Sequence, residues 1–129
     1  MRVSFDYDAT LSRKDVQEFA KKLVSRGIEV WVVTSRFDDE TAKEKAWWWI
    51  KDQNNNLFEV TDECGIRREN IKFTNMESKS IFLKDKAFTF HLDDDYIELL
   101  DILESGDKCL PVNVDHFEWK ETCLNVLNM

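Results

Sequence analysis

Proline and glycine are scarce in this chain, with one Pro and three Gly among 129 residues. That leaves no room for a flexible linker or a low-complexity tract, and no internal repeat is visible. Long apolar runs are missing too. Ile28 to Val33 is the most apolar stretch and it contains Glu29, far short of the roughly 20 residues that a membrane helix needs. Met1 and Arg2 precede only a short apolar segment that Asp6 interrupts, so no secretory signal is expected. Cysteine is limited to Cys64, Cys109 and Cys123. An odd number of widely spaced thiols gives neither a metal-type pair nor a disulfide framework, and three buried thiols in a reducing cytoplasm is the expectation. Net positive charge is also lacking. At −8 the surface repels phosphate backbones, which disfavours nucleic acid as a partner. A small anionic substrate stays compatible, because a bound cation reverses the local field.

What is present is enough apolar material, 43% of residues, for one buried core and one domain spanning residues 1–129. Val3–Phe5 reads as a short strand running into Asp6. Ser12 and Asp15 look like a helix cap and its acidic partner. Val16, Phe19, Ala20, Leu23 and Val24 then fall on one helical face that Gly27 closes. Ile28–Val33 suits a parallel strand covered on both sides. A helix is predicted from about Asp39 to Asn54, with Ala42, Ala46, Trp49 and Ile50 inward, broken by Asn54-Asn55-Asn56. Leu57–Glu63 is a short helix closing at Gly65, Ile71–Phe73 a third strand, Glu77–Lys84 a helix and Phe88–Leu92 a fourth strand. Ile97, Leu99, Leu100 and Leu103 belong to a helix stopping near Gly106. Cys109–Val112 is a fifth strand that Pro111 confines to an edge. Phe117, Cys123, Leu124 and Leu127 suit a closing helix. Alternating strands and helices imply an α/β fold, a three-layer α/β/α sandwich around a central parallel sheet.

In such a sheet ligands bind beyond the carboxyl ends of the strands, at a topological switch point. The first strand ends in Asp6 and Asp8, the second in Thr34 and Ser35, the fourth in Asp93 and Asp94. If those ends are neighbours, four carboxylates share one crevice. Two like charges about 4 Å apart repel by roughly 4 kcal/mol at an effective dielectric of 20, a cost that a hard divalent ion removes. Magnesium, which prefers a few carboxylates, waters and phosphate oxygens, is the expected cofactor. Asp6 and Asp8 lie on one side of an extended chain if the strand continues through them, so that one acid can attack while the other handles protons.

These motifs, Phe5-Asp6-Tyr7-Asp8-Ala9-Thr10-Leu11, Val32-Val33-Thr34-Ser35, Lys79 and His91-Leu92-Asp93-Asp94, resemble in order the four motifs of the haloacid dehalogenase superfamily of phosphohydrolases. They span most of the chain. The resemblance implies a magnesium-dependent phosphatase with Asp6 as the nucleophile that forms an aspartyl-phosphate. Asp8 would protonate the leaving oxygen and then activate water. Thr34 would bind the phosphoryl group, with Ser35 and Arg36 beside it, and Lys79 would steady the charge on Asp6 and the phosphate. Mg²⁺ would be held by the Asp6 carboxylate, the Asp8 backbone carbonyl and Asp94, with Asp93 the second choice. Ala9 stands where many members have glycine, and alanine disfavours positive φ. The segment from Phe37 to Asn70 is too short for a large cap domain, so an open site is expected.

Plainer readings sit beside these. Arg36 is either a substrate contact or the partner of Asp38 or Asp39. Asp95 is the expected cap of the helix that follows the acidic run. His91 and His116 carry no assigned role. Trp47, Trp48 and Trp49 cannot all face one core, since adjacent helical positions point about 100° apart. An exposed Trp47 or Trp48 is thus a candidate homodimer contact, a substrate wall or a partner site, with packing against a loop as the alternative. The expected substrate is a small phosphate ester or nucleotide. The alternatives are a nucleic-acid end phosphatase, for which Arg67, Arg68 and Lys72 would form a small local basic patch, and an inactive phosphate- or metal-binding module on the same fold.

Overall fold

The computed structural model describes residues 1–45 and 52–129. Its strands are β1 (Arg2–Phe5), β2 (Glu29–Thr34), β3 (Ile71–Phe73), β4 (Phe88–Asp93) and β5 (Leu110–Asn113). They form one all-parallel sheet in the order β3-β2-β1-β4-β5. The helices among the described residues are α1 (Lys14–Ser25), α2 (Asp39–Glu44), α3 (Asn55–Cys64), α4 (Lys79–Leu83), α5 (Tyr96–Glu104) and α6 (Trp119–Val126). Parallel strands need crossovers, and helices in those crossovers cover both faces. The result is a three-layer, Rossmann-like α/β/α sandwich.

One face of the sheet packs Val3, Phe5, Val30, Val32, Phe90, Leu92 and Val112 against Val16, Phe19, Ala20 and Leu23 of α1, Leu57 of α3, and Trp119 and Cys123 of α6. Edge-to-face ring pairs order this layer: Phe5 with Phe90 at 5.8 Å, and Phe19 with Trp119 at 5.4 Å. The opposite face packs Val33 and Phe88 against Leu83 of α4 and Ile102 of α5. Phe88 and Phe90 lie two apart yet face different layers. A bulge explains this, since Arg2 pairs with Phe88 but Ser4 pairs with His91, and the extra residue in β4 flips the alternation.

The first three strands run outward from β1 through β2 to β3, and the chain then returns to place β4 on the other side of β1. The switch point therefore lies between the carboxyl ends of β1 and β4. Asp6 directly follows β1, and its N–H donates to the Leu92 carbonyl at 2.8 Å; Asp93 ends β4.

Several sequence expectations hold. Pro111 sits in β5, at the sheet edge. Gly65, with φ of 80°, ends α3. The Asp95 side chain caps α5 by accepting from the Ile97 and Glu98 N–H groups. All three cysteines are buried and free. No helix among the described residues is long and apolar enough to cross a membrane.

Others need correction. The helix expected over Asp39–Asn54 does not run that far: α2 ends at Glu44, residues 52–54 form a turn and α3 begins at Asn55. The Asn54 amide folds back to donate to the Phe37 carbonyl and to Asp39, a side-chain bond that competes with helix continuation. Ala42 is buried as expected. Ala46, the candidate Trp47 or Trp48 dimer contact, Trp49 and Ile50 lie outside the described residues. Ser12 does not cap α1; Arg13 takes that position and Asp15 pairs with it, because the Ser12 N–H closes a wide turn onto the Tyr7 carbonyl. The helix expected over Glu77–Lys84 is the shorter α4. Phe117 lies outside α6 and is exposed, with Trp119 buried instead. Ile97, Leu99, Leu100 and Leu103 all lie in α5 as expected, although Ile97 and Leu103 are exposed and Ile102 is buried. The cap at Asp95 sets the phase of α5, so that Leu99 and Ile102, three apart, form its buried face.

Phe90→Ala, which empties the ring contact at the centre of the sheet, is expected to cost about 3–5 kcal/mol in urea denaturation. Phe117→Ala, at 83% exposure, should change stability by less than about 0.5 kcal/mol.

Candidate functional site

The side chains at the switch point come from four places. Asp6 follows β1, Asp93 ends β4 with Asp94 next after it, Lys79 opens α4 and His91 lies within β4. Asp6, Lys79, His91 and Asp93 are all buried. Lys79 Nζ donates to Asp6 Oδ1 at 2.9 Å and to Asp93 Oδ2 at 2.5 Å. Its own N–H donates to Glu98 Oε2 at 3.0 Å, and Ser78 Oγ donates to Asp101 at 3.0 Å. Two side chains of α5 thus fix the start of α4 and aim Lys79 inward.

Asp93 is well supplied with donors. Its Oδ2 meets both Lys79 Nζ and His91 Nε2, the latter at 2.7 Å, and its Oδ1 accepts the Asp95 N–H at 3.0 Å. Asp6 is less well served. Beyond Lys79 it has a 3.4 Å contact from the Thr10 hydroxyl to Oδ2 and a side-chain hydrogen bond shared with the Asp94 carboxyl. Asp94 is half-buried, and carboxylate oxygens of Asp6, Asp93 and Asp94 all lie within 4.8 Å of one another.

The charges do not balance. Burial would raise Asp93, but the bonds from His91 and Lys79 outweigh it and hold its carboxyl well below the usual range. Burial would likewise lower Lys79, yet the two acids keep its pKa raised. Burial depresses His91, leaving it neutral. One ammonium therefore faces two buried acids. The excess falls on Asp6, which burial and then Asp93 push from 3.8 to about 8. Burial also raises Asp94. A site with one carboxylate too many for its own cations suits a further cation. Oxygen donors of this kind select a hard ion such as Mg²⁺, so the residues present fit the cofactor that the sequence suggests.

Comparisons with family models, with curated proteins and with solved structures find no match for this chain. The site is therefore read from its own chemistry.

Asp8 does not join the cluster. The strand conformation stops at Phe5, Tyr7–Leu11 forms a wide turn, and Asp8 is turned outward. Arg36 binds both of its carboxylate oxygens, Nε to Oδ2 at 2.9 Å and Nη2 to Oδ1 at 2.7 Å. The two acids are thus not aligned on one side of an extended chain. The same guanidinium lies over the Tyr7 ring and reaches the Gln53 carbonyl and Asn56. Arg36 pairs with neither Asp38 nor Asp39; Asp38 instead caps α2.

Thr34 is buried at the end of β2, and its hydroxyl accepts the Arg36 N–H at 3.2 Å, leaving its own hydrogen to donate elsewhere. Ser35 is half-buried beside it. The loop after β3 is laced to this one: the N–H groups of Thr74, Asn75 and Met76 donate to the carbonyls of Thr34, Arg36 and Ser35. Arg67 pairs with Glu69, and Arg68 pairs with Asp62, which neutralises most of the basic patch formed with Lys72.

Sequence reasoning passed over Ser4 and Glu98 and took His91 as a core or edge histidine, which its burial bears out, without giving it a part in the site. A period-two reading of β4 puts His91 on the same face as Asp93, and that signal was available. Nothing local pointed to Glu98, which meets Lys79 only through the packing of α4 on α5.

Ala9 has φ of 56° and ψ of 12°, left-handed backbone that costs an L-residue about 1–2 kcal/mol. Ala9→Gly is expected to raise stability by about 0.5–1 kcal/mol in urea melts, after allowance for the looser unfolded chain.

Removing Lys79 and removing Asp6 should have opposite consequences for the metal-free fold. Lys79→Met strands two buried carboxylates and is expected to cost about 3–5 kcal/mol. Asp6→Asn removes the surplus acid and should leave stability within about 1 kcal/mol of wild type, or raise it. A group whose folded pKa is raised contributes stability that is full below its unfolded value of 3.8 and lost as pH climbs to about 8. Without metal, wild type should therefore lose ground to Asp6→Asn between those values. Equal losses in the two variants would contradict the charge count.

Proposed function

We propose that the chain is a magnesium-dependent phosphohydrolase that removes phosphate from a small phosphate ester or nucleotide through an aspartyl-phosphate on Asp6. The observation that carries this reading is the convergence of Asp6, Asp93 and Asp94 within 4.8 Å at the β1/β4 switch point, with Lys79 bridging the first two. The resemblance of the motifs to those of the haloacid dehalogenase superfamily supports the same reading.

Asp93 already accepts from Lys79, His91 and Asp95, which leaves a single site on Oδ1 open and lowers its value as a metal ligand. That favours Asp6 and Asp94 as the carboxylates that would hold Mg²⁺, with the Asp8 carbonyl as the backbone ligand. When bound, the ion offsets charge on the phosphoryl oxygens and on the attacking carboxylate.

The remaining work falls to the chain. A carboxylate oxygen of Asp6 attacks phosphorus as the ester P–O bond breaks, and the leaving oxygen takes a proton from Asp8. Water then attacks the aspartyl-phosphate, Asp8 accepts its proton, the P–O bond to Asp6 breaks and inorganic phosphate departs. Thr34 donates its free hydroxyl hydrogen to a phosphoryl oxygen, and Lys79 balances charge as it spreads over the equatorial oxygens. Asp8 must leave Arg36 to take part, and its exposed position permits the swing. The guanidinium so released lies beside Thr34 and Ser35, where it would meet the phosphate.

Turnover of aryl and nucleoside phosphates should require Mg²⁺ and stop with EDTA. Asp6→Asn should lower kcat by at least about 10³-fold, and Asp94→Asn should raise the Mg²⁺ concentration needed for half-maximal rate. Beryllium fluoride should form its adduct on Asp6. Undiminished hydrolysis by Asp6→Asn would remove the assigned nucleophile.

A further inference from the structure

The sheet face beneath α4 and α5 carries a buried polar line where an apolar surface would pack more cheaply. Ser4 Oγ lies 2.7 Å from His91 Nδ1, and His91 Nε2 lies 2.7 Å from Asp93 Oδ2. Both Ser4 and His91 are fully buried. Their strands are neighbours, with Ser4 opposite His91 in the β1–β4 register. A serine and a histidine desolvated together are favourable only when every polar atom finds its complement. Here one assignment satisfies the line: the Ser4 hydroxyl donates to a bare Nδ1, and the Nε2–H donates to Asp93. The reverse tautomer would aim the Nε2 lone pair at a carboxylate and leave the Ser4 hydrogen without an acceptor.

We propose that Ser4 and His91 form a positioning relay that fixes Asp93 as the principal partner of Lys79 and so keeps Asp6 free to act as nucleophile. The inference rests on the phosphatase reading. Lys79 Nζ stands 2.5 Å from Asp93 and 2.9 Å from Asp6. An ammonium held closer to Asp93 neutralises Asp6 only in part, and the proposed Mg²⁺ would supply the rest of the charge that keeps Asp6 ionised. Without the His91 bond, Asp93 loses one of its three donors, Lys79 swings toward Asp6, and a fully paired Asp6 is a poorer nucleophile. Ser4 acts one bond further out, since it selects the ring tautomer that can donate. Neither residue touches substrate, and outer partners of this kind typically change activity about 10–100-fold.

Two measurements test the relay. The chain has two histidines, so ring-nitrogen NMR of the wild type, with His116→Gln for assignment, reads the His91 tautomer directly. The expected spectrum shows a neutral ring protonated on Nε2 alone, and Ser4→Ala should mix the tautomers. A ring protonated on Nδ1 overturns the relay whatever the activity. In kinetics, His91→Phe should lower kcat about 10–100-fold with KM nearly unchanged. His91→Gln, whose amide can donate to Asp93 and accept from Ser4, should recover part of the loss at equal thermal stability. Wild-type kcat in His91→Phe, or equal kcat in the Phe and Gln variants, overturns the positioning role and leaves Asp6 as nucleophile untouched. Full activity in Asp6→Asn defeats the phosphatase reading instead, without altering the tautomer.

Discussion

A buried ammonium shared between two carboxylates governs this structure. Lys79 reaches Asp6 from one strand and Asp93 from the next, and neither acid could sit at that depth alone. At 4 Å, two like charges repel by roughly 4 kcal/mol even at an effective dielectric of 20. The lysine turns that repulsion into a bridge that ties β1, β4 and the start of α4 together. The requirement propagates outward. A five-residue helix such as α4 is too short to hold itself in water, so Glu98 and Asp101 of α5 pin its first turn. The backbone of Asp6 is fixed through the Leu92 carbonyl on one side and the Leu11 N–H on the other.

The bridge is incomplete as a charge balance, and the imbalance is what makes the site chemically useful. Asp93 is the most heavily bonded of the three acids, with three donors. Asp94, and Asp6 with only a share of Lys79, remain as oxygen donors in excess of the cations present. Placing them on a sheet rim whose loops are tied by the Thr34–Thr74, Ser35–Met76 and Arg36–Asn75 backbone bonds gives a rigid frame on which the proposed cation and phosphoryl group would sit. Asp8 is held apart by Arg36, which keeps a fourth acid from adding to the repulsion in the crevice.

Much of the frame was legible in the chain because apolar spacing is a local signal. The Val16-Phe19-Ala20-Leu23 face, the Ile28–Val33 run and the edge strand marked by Pro111 all lie where their patterns put them. The readings that failed share a cause. Asn54 bonds Phe37 and Asp39, and the Ser12 N–H closes a turn onto Tyr7. Each is a choice between partners that spacing alone leaves equal. His91 was given no part in the site for a related reason, since a histidine within a strand is informative only once its cross-strand neighbour is known to be Ser4.

By itself the sequence determined the alternation of strands and helices, the polar residues waiting at three strand ends, and the excess of acid among them. Those follow from periodicity and composition, which need no knowledge of neighbours. Tertiary structure decided which acids meet. It placed β4 beside β1, bonded Asp93 to Lys79 and His91, turned Asp8 away to Arg36, and left Asp6 and Asp94 facing one crevice. The physical reason is that a carboxylate's state depends on the charges and donors within a few ångströms of it, and in this fold those come from segments far apart in the chain.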